Sequence, residues 1–165
     1  MKLYLEGGDP YRSLFERGRS MPSVTYHGVV PNVELRAALR DVHFLVYPST
    51  FAETSCLAAI EAMAAGCRVI VPSLGALPET TAGYARVYAW HPDLHGHAEV
   101  FADVLAAEMA TPWAGDPGLS FAQQRHCAAV YDWPRCLVRR RQLIGSLCSR
   151  DLFGGEVGRL AAASS

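Results

Sequence analysis

Residues 46–70 read V-Y-P-S-T-F-A-E-T-S-C-L-A-A-I-E-A-M-A-A-G-C-R-V-I. This is the end of a strand, a loop, a helix and the start of another strand. Between Thr54 and Cys67 the residues are almost all Ala, Leu, Ile, Met and Cys, with Glu61 as the single charge. Gly66 stands where a helix C-terminus favours a left-handed residue. A helix apolar nearly all round is expected to be buried. Glu53 precedes it and Glu61 lies two turns in. A helical rise of about 1.5 Å per residue puts their Cα atoms on the order of 12 Å apart, and helical side chains lean back toward the N-terminus. The spacing suits an elongated ligand with hydroxyl groups at both ends.

Outward from this stretch, β-prone and helical segments alternate. Leu3–Leu5 reads as a short strand closed by Gly7-Gly8-Asp9-Pro10, Tyr11–Arg19 as a helix with Leu14 and Phe15 inward, and Val24–Tyr26 as a strand turning at Gly28. Asn32 suits a helix cap before 33–40, and Val42–Tyr47 reads as a buried parallel strand. Val69-Ile70-Val71 is a further buried strand, Pro78–Thr81 one helical turn, and Ala85–Trp90 another strand. Helices are expected over 97–110, 120–131 and 134–148, with the Pro- and Gly-bearing segment 111–118 as a break. The reading divides the chain into a sheet domain over 1–112, helices packing on it over 113–150, and a flexible tail over 151–165. Such alternation predicts an α/β, Rossmann-like doubly wound parallel sheet with C-terminal helices, whose ligands sit at the carboxyl ends of the strands.

Composition removes several classes. Lys plus Arg is 15 against 16 for Asp plus Glu, a formal charge of −1 in 165 residues, so no global field draws in nucleic acid. The five cysteines have no C-x-x-C and read as reduced thiols, and no metal is expected. No apolar run is long enough for a membrane span, and the N-terminus lacks a leader of signal-peptide type, so the chain is expected to be cytoplasmic. The six histidines form no H-E-x-x-H set; His91, His95 and His97 read as loop and cap residues. Gly7-Gly8-Asp9-Pro10 is no G-x-G-x-x-G, which disfavours a dinucleotide dehydrogenase. Arg135, Arg139, Arg140, Arg141 and Arg150 fit a solvated helix face, or contact with acidic lipid or a partner.

The ordered set Pro48-Ser49, Glu53, Glu61-Ala62-Met63-Ala64-Ala65-Gly66, Val69-Ile70-Val71 and Gly75-Ala76-Leu77-Pro78-Glu79 resembles the donor-binding C-terminal lobe of retaining GT-B glycosyltransferases, the glycosyl transferases group 1 family. The resemblance spans roughly residues 3–143. It implies a nucleoside diphosphate sugar as ligand, Glu61 on the ribose hydroxyls, and Glu53 on sugar hydroxyls as the catalytic-site carboxylate. It adds Ser49 and Glu79 to the donor site and brings the loop at Gly28 near the base. With the helix beginning at Thr54, the N–H groups of Thr54, Ser55 and Cys56 are expected to hold the pyrophosphate. Trp133 in Y-D-W-P-R resembles an element whose Trp packs in the core.

The chain departs from the family where Ser55 and Cys56 replace a Phe-Gly pair. A Cys side chain where backbone must approach the ligand is expected to alter phosphate or sugar placement. The sequence also reads as starting after the lobe's first strand-helix unit and after the acceptor domain, so it is expected not to turn over alone. A separate acceptor-binding lobe or self-association would cover its open face. A non-catalytic nucleotide-sugar-binding or protein-interaction module is the alternative.

Overall fold

The computed structural model describes residues 11–111 and 117–149. The expected strand Leu3–Leu5, the loop Gly7–Pro10, most of the break 111–118 and the tail 151–165 lie outside the described residues. The chain divides into two compact units, Met1–Ala37 and Ala38–Ser165. In the first, α1 (Arg12–Ser20) and α2 (Asn32–Ala38) flank an irregular segment. There Phe15 meets Tyr26 at 5.7 Å between ring centroids, and the Arg19 guanidinium sits 4.4 Å over the Tyr26 ring. Residues 24–26 are not assigned to a strand among the described residues, contrary to expectation.

The second unit contains β1 (Phe44–Val46), α3 (Leu57–Ala65), β2 (Arg68–Pro72), α4 (Leu77–Thr81), β3 (Arg86–Tyr88), α5 (Leu94–Ala110), α6 (Pro117–Val130) and α7 (Trp133–Ser149). Its sheet has the order β1-β2-β3, all parallel, with Leu45 opposite Val69 and Val71 opposite Val87. The fold is the expected α/β arrangement with C-terminal helices. Alternation along the strands explains the continuous β-branched run. Val69 and Val71 face a core with Cys56, Ala59, Ala62, Met63, Leu77 and Cys127, while Ile70 and Tyr88 serve the other face. Met63, Ile70 and Leu77 are wholly enclosed, each worth about 1.5–3 kcal/mol of transfer free energy.

Two devices fasten the helices. Gly66 takes φ 94° at the end of α3, and the Cys67 N–H reaches back to Ala62 O at 2.9 Å, the return bond that closes a helix C-terminus. Gln123 of α6, buried, donates its amide to Met63 O at 3.1 Å and Cys67 O at 2.8 Å. On the opposite face α5 runs back along the strands. His97 near its start meets the Tyr88 hydroxyl at 3.3 Å, and the buried carboxylate of Glu108 near its end pairs with Arg68 and Arg86 at the strand starts. Those two guanidiniums supply the positive charge that the last turn of α5 lacks.

Several expectations change. His97 lies within α5 and is 4% exposed, because α5 begins three residues earlier than expected, capped by Asp93, whose side chain accepts from the Gly96 N–H at 2.8 Å. Trp133 is 66% exposed. It opens α7, and α7 holds α6 through Cys136 and Arg139, both donating to Val130 O, which leaves the Trp ring off the core. Helix α3 is not enclosed all round: Leu57 is 68% exposed, and Ala58 and Ala64 are exposed with it.

Burial disfavours the ionised form of enclosed thiols and phenols and pushes their pKa values up, Cys127 to about 11 and Tyr88 to about 12. The unfolded chain, with ordinary values, loses these protons first. The stabilisation is therefore whole below the ordinary thiol value of 9.0 and falls as pH rises toward 11. Thermal melts across that window should show a falling Tm; an unchanged Tm would contradict the burial of Cys127.

Candidate functional site

Parallel pairing of β1 and β2 sets their carboxyl-end loops, Tyr47–Cys56 and Ser73–Ala76, side by side. The ladder continues one residue past β1, Tyr47 N–H donating to Ile70 O at 3.0 Å, so Tyr47 leaves the sheet in a fixed direction. Ser49 then closes a local turn: its Oγ accepts from the Phe51 N–H at 3.2 Å and donates to Phe51 O at 3.0 Å. Beyond it the chain returns to bring Glu53, half-buried, within reach of Tyr47, whose hydroxyl donates to Glu53 Oε1.

The second loop grips the same residue by its backbone. The Ala76 N–H donates to Glu53 O at 2.8 Å, and Gly75, at φ 56°, lies so close that a Cβ there would sit 2.6 Å from Glu53 O and 2.7 Å from Glu53 N. The Gly-x-x-Pro-Glu segment therefore acts first as the backing of Glu53. Its own Glu79 is exposed on α4, and its charge is felt at Tyr131, whose hydroxyl donates to Thr80 O at 2.8 Å.

Cys56 caps α3 and is 2% exposed. Its side chain joins the core cluster, with the thiol beside the Glu53 carboxylate and the Tyr47 hydroxyl. Its backbone is extended, at φ −112° and ψ 99°, and its side chain lies in the same buried cluster as Ala59 and Met63. Burial pushes the thiol up, and the Glu53 carboxylate adds to this. Because α3 starts at Leu57, the first-turn N–H groups belong to Leu57, Ala58 and Ala59, with that of Ala59 facing the Cys56 sulfur. Thr54 and Ser55 are exposed in the preceding loop, so the helix starts three residues later than expected. Three polar residues in a row offer three possible caps, and core packing of Cys56 selects the last.

Glu61 is half-buried on α3, and because α3 starts at Leu57 it lies just past the first turn, not two turns in as expected. Gly28, with φ 68°, belongs to the first unit. The structure thus brings together Glu53, Cys56 and the Gly75 loop, and adds Tyr47, which the sequence reading passed over as a strand residue. Its position directly before Pro48-Ser49, six residues from Glu53, was the available signal. Among the described residues no group of three or more His, Cys, Asp or Glu could hold a metal ion, and no helix is long and apolar enough to cross a membrane. An open groove of about 410 Å³ between α6 and α7 is lined by Ala129, Pro134, Arg135, Val138 and Arg139, none of them predicted site residues.

The family described as "Glycosyl transferases group 1" matches residues 1–106. Among solved structures, sucrose-phosphate synthase from Thermosynechococcus elongatus is similar, with a TM-score of 0.67 and 25% identity over 84% of this chain. The chain spans 33% of that structure's length, so the sheet and helices correspond to part of a GT-B glycosyltransferase. No curated protein matches the sequence.

Proposed function

Since the chain belongs to the glycosyl transferases group 1 family, which uses nucleotide-sugar donors, we propose that its second unit holds a nucleoside diphosphate sugar at the carboxyl ends of β1 and β2. Glu53 accepts from a hydroxyl of the sugar ring, Glu61 accepts from the ribose hydroxyls, and N–H groups at the start of α3 face the pyrophosphate. The observation that carries this reading is the double anchorage of Glu53, by Tyr47 on its carboxylate and by the Gly75 loop on its backbone. A carboxylate fixed at the rim of adjacent parallel strands is what ligand binding at that edge requires.

The geometry suggests how transfer would be assisted. A helix start stabilises the diphosphate by about 0.3–1 kcal/mol and does so more strongly as the leaving group gains charge. Carboxylate bonds to hydroxyls, worth roughly 1.5–3 kcal/mol each, hold the sugar in register. Because the chain spans a third of the solved structure it matches, transfer is proposed to need an acceptor-binding lobe opposite this edge.

Titrating the chain calorimetrically with UDP, GDP, ADP and their sugar conjugates, with NAD as control, tests the reading. One base should be preferred, with the sugar conjugate binding more tightly than its diphosphate; no binding by a folded sample would refute it. Glu61→Ala is expected to weaken the preferred diphosphate by more than about tenfold with an unchanged far-ultraviolet spectrum. Unchanged affinity would remove Glu61 from the ribose.

A further inference from the structure

Tyr47 has no role in the family resemblance, yet it meets the carboxylate on which the proposed site depends. An ionised carboxyl group has two oxygens and about four lone-pair positions, and only acceptors. Oε1 of Glu53 is engaged by the Tyr47 hydroxyl, and the Glu53 backbone is held by Ala76 and crowded by Gly75. With the main chain and one oxygen both fixed, the side chain has no freedom to turn both oxygens to a ligand.

Resting on the donor-lobe reading above, we propose that Tyr47 is a positioning residue: by occupying Oε1 it fixes the Glu53 rotamer and leaves Oε2 as the acceptor for a single hydroxyl of the donor's sugar ring. Glu53 then selects one hydroxyl by direction and does not chelate a vicinal diol. The phenol is suited to the task. Its bond to Glu53 and, after that, its burial hold it well above its ordinary range, so it keeps its proton and stays a donor. The neighbouring Cys56 thiol, pushed up first by burial and then by the Glu53 carboxylate, keeps its proton and meets both Glu53 and Tyr47, so it adds a second neutral donor that helps hold the carboxylate in place. Phenylalanine would fill the same space while releasing the carboxylate.

Tyr47→Phe separates this from a structural role, because the inference concerns only the sugar end of the ligand. Calorimetric titration of the full chain should show about tenfold weaker binding of the preferred sugar conjugate, whichever of the UDP, GDP or ADP forms the wild type selects. Affinity for the matching diphosphate should stay within about twofold, and Tm should be nearly unchanged. Equal weakening of both ligands, or of neither, overturns the inference while leaving the donor-lobe reading standing. Failure of the wild-type chain to bind any conjugate overturns both. A ligand-free readout checks the bond itself: with Cζ-labelled tyrosine, the NMR resonance of Tyr47 should move in Glu53→Ala, and an unmoved resonance would overturn the inference whatever the titrations show.

Discussion

Gly75→Ala is expected to abolish the preference for a sugar conjugate over its diphosphate and to lower stability by about 2–4 kcal/mol. Two costs add. A non-glycine residue held at φ 56° costs roughly 1–2 kcal/mol, and the new Cβ would lie 2.6–2.9 Å from backbone atoms of Ala52 and Glu53, which cannot swing aside as a side-chain end can. Relief requires the two loops to part, which breaks the Ala76-to-Glu53 bond and moves the carboxylate. Gly83→Ala is the control. Gly83 is also left-handed, at φ 82°, but a Cβ there meets open space, so it should show the conformational cost without the loss of binding. Melting and titration of both variants decide the matter; a Gly75→Ala chain that binds the conjugate like wild type would mean that Glu53 is not held by this loop.

Gln123→Leu should be nearly as damaging to stability, and for an unrelated reason. The amide is 1% exposed and donates to two carbonyls at the end of α3, Met63 O and Cys67 O. Leucine fills similar volume but leaves Cys67 O without the amide in a space closed to water, at about 1–3 kcal/mol, and takes from Met63 O, which keeps the Gly66 N–H, a second bond worth about 0.5–1.5 kcal/mol. The expected loss is about 2–4 kcal/mol, which for a chain of this size lowers Tm on the order of 10 °C. A change of about a degree would show that α6 is not needed to close α3. Diphosphate affinity should change much less than Tm, since the residue acts at the end of α3 away from its start.

The sheet was legible where a local pattern carries a global fact. Val69-Ile70-Val71 reads as a central strand because burial on both faces removes the usual alternation, and Gly66 reads as a helix end because few other residues accept its dihedral angles. Gln123 and Glu108 were not legible. Their partners lie far along the chain, 56 and 60 residues in the case of Gln123, and such pairings leave no periodic trace. The same boundary runs through the candidate site. Glu53 and Glu61 were singled out by spacing and resemblance, whereas the burial of Cys56 was missed because residue type does not say which way a loop residue's Cβ points. Trp133 failed for a related reason: an aromatic residue at a helix start is enclosed only if that helix lies flat on the core.

The anchorage of Glu53 also bears on entropy. A glutamate free on a loop would lose rotamer freedom when it meets a ligand, at about 0.5–1.5 kcal/mol for an ordered side chain, and its loop would lose more. Here Tyr47, Gly75 and Ala76 impose that order when the chain folds. The cost is charged to stability once and is not repeated at each encounter, so on the proposed donor-lobe function affinity at this carboxylate is expected to follow the integrity of the β1–β2 edge.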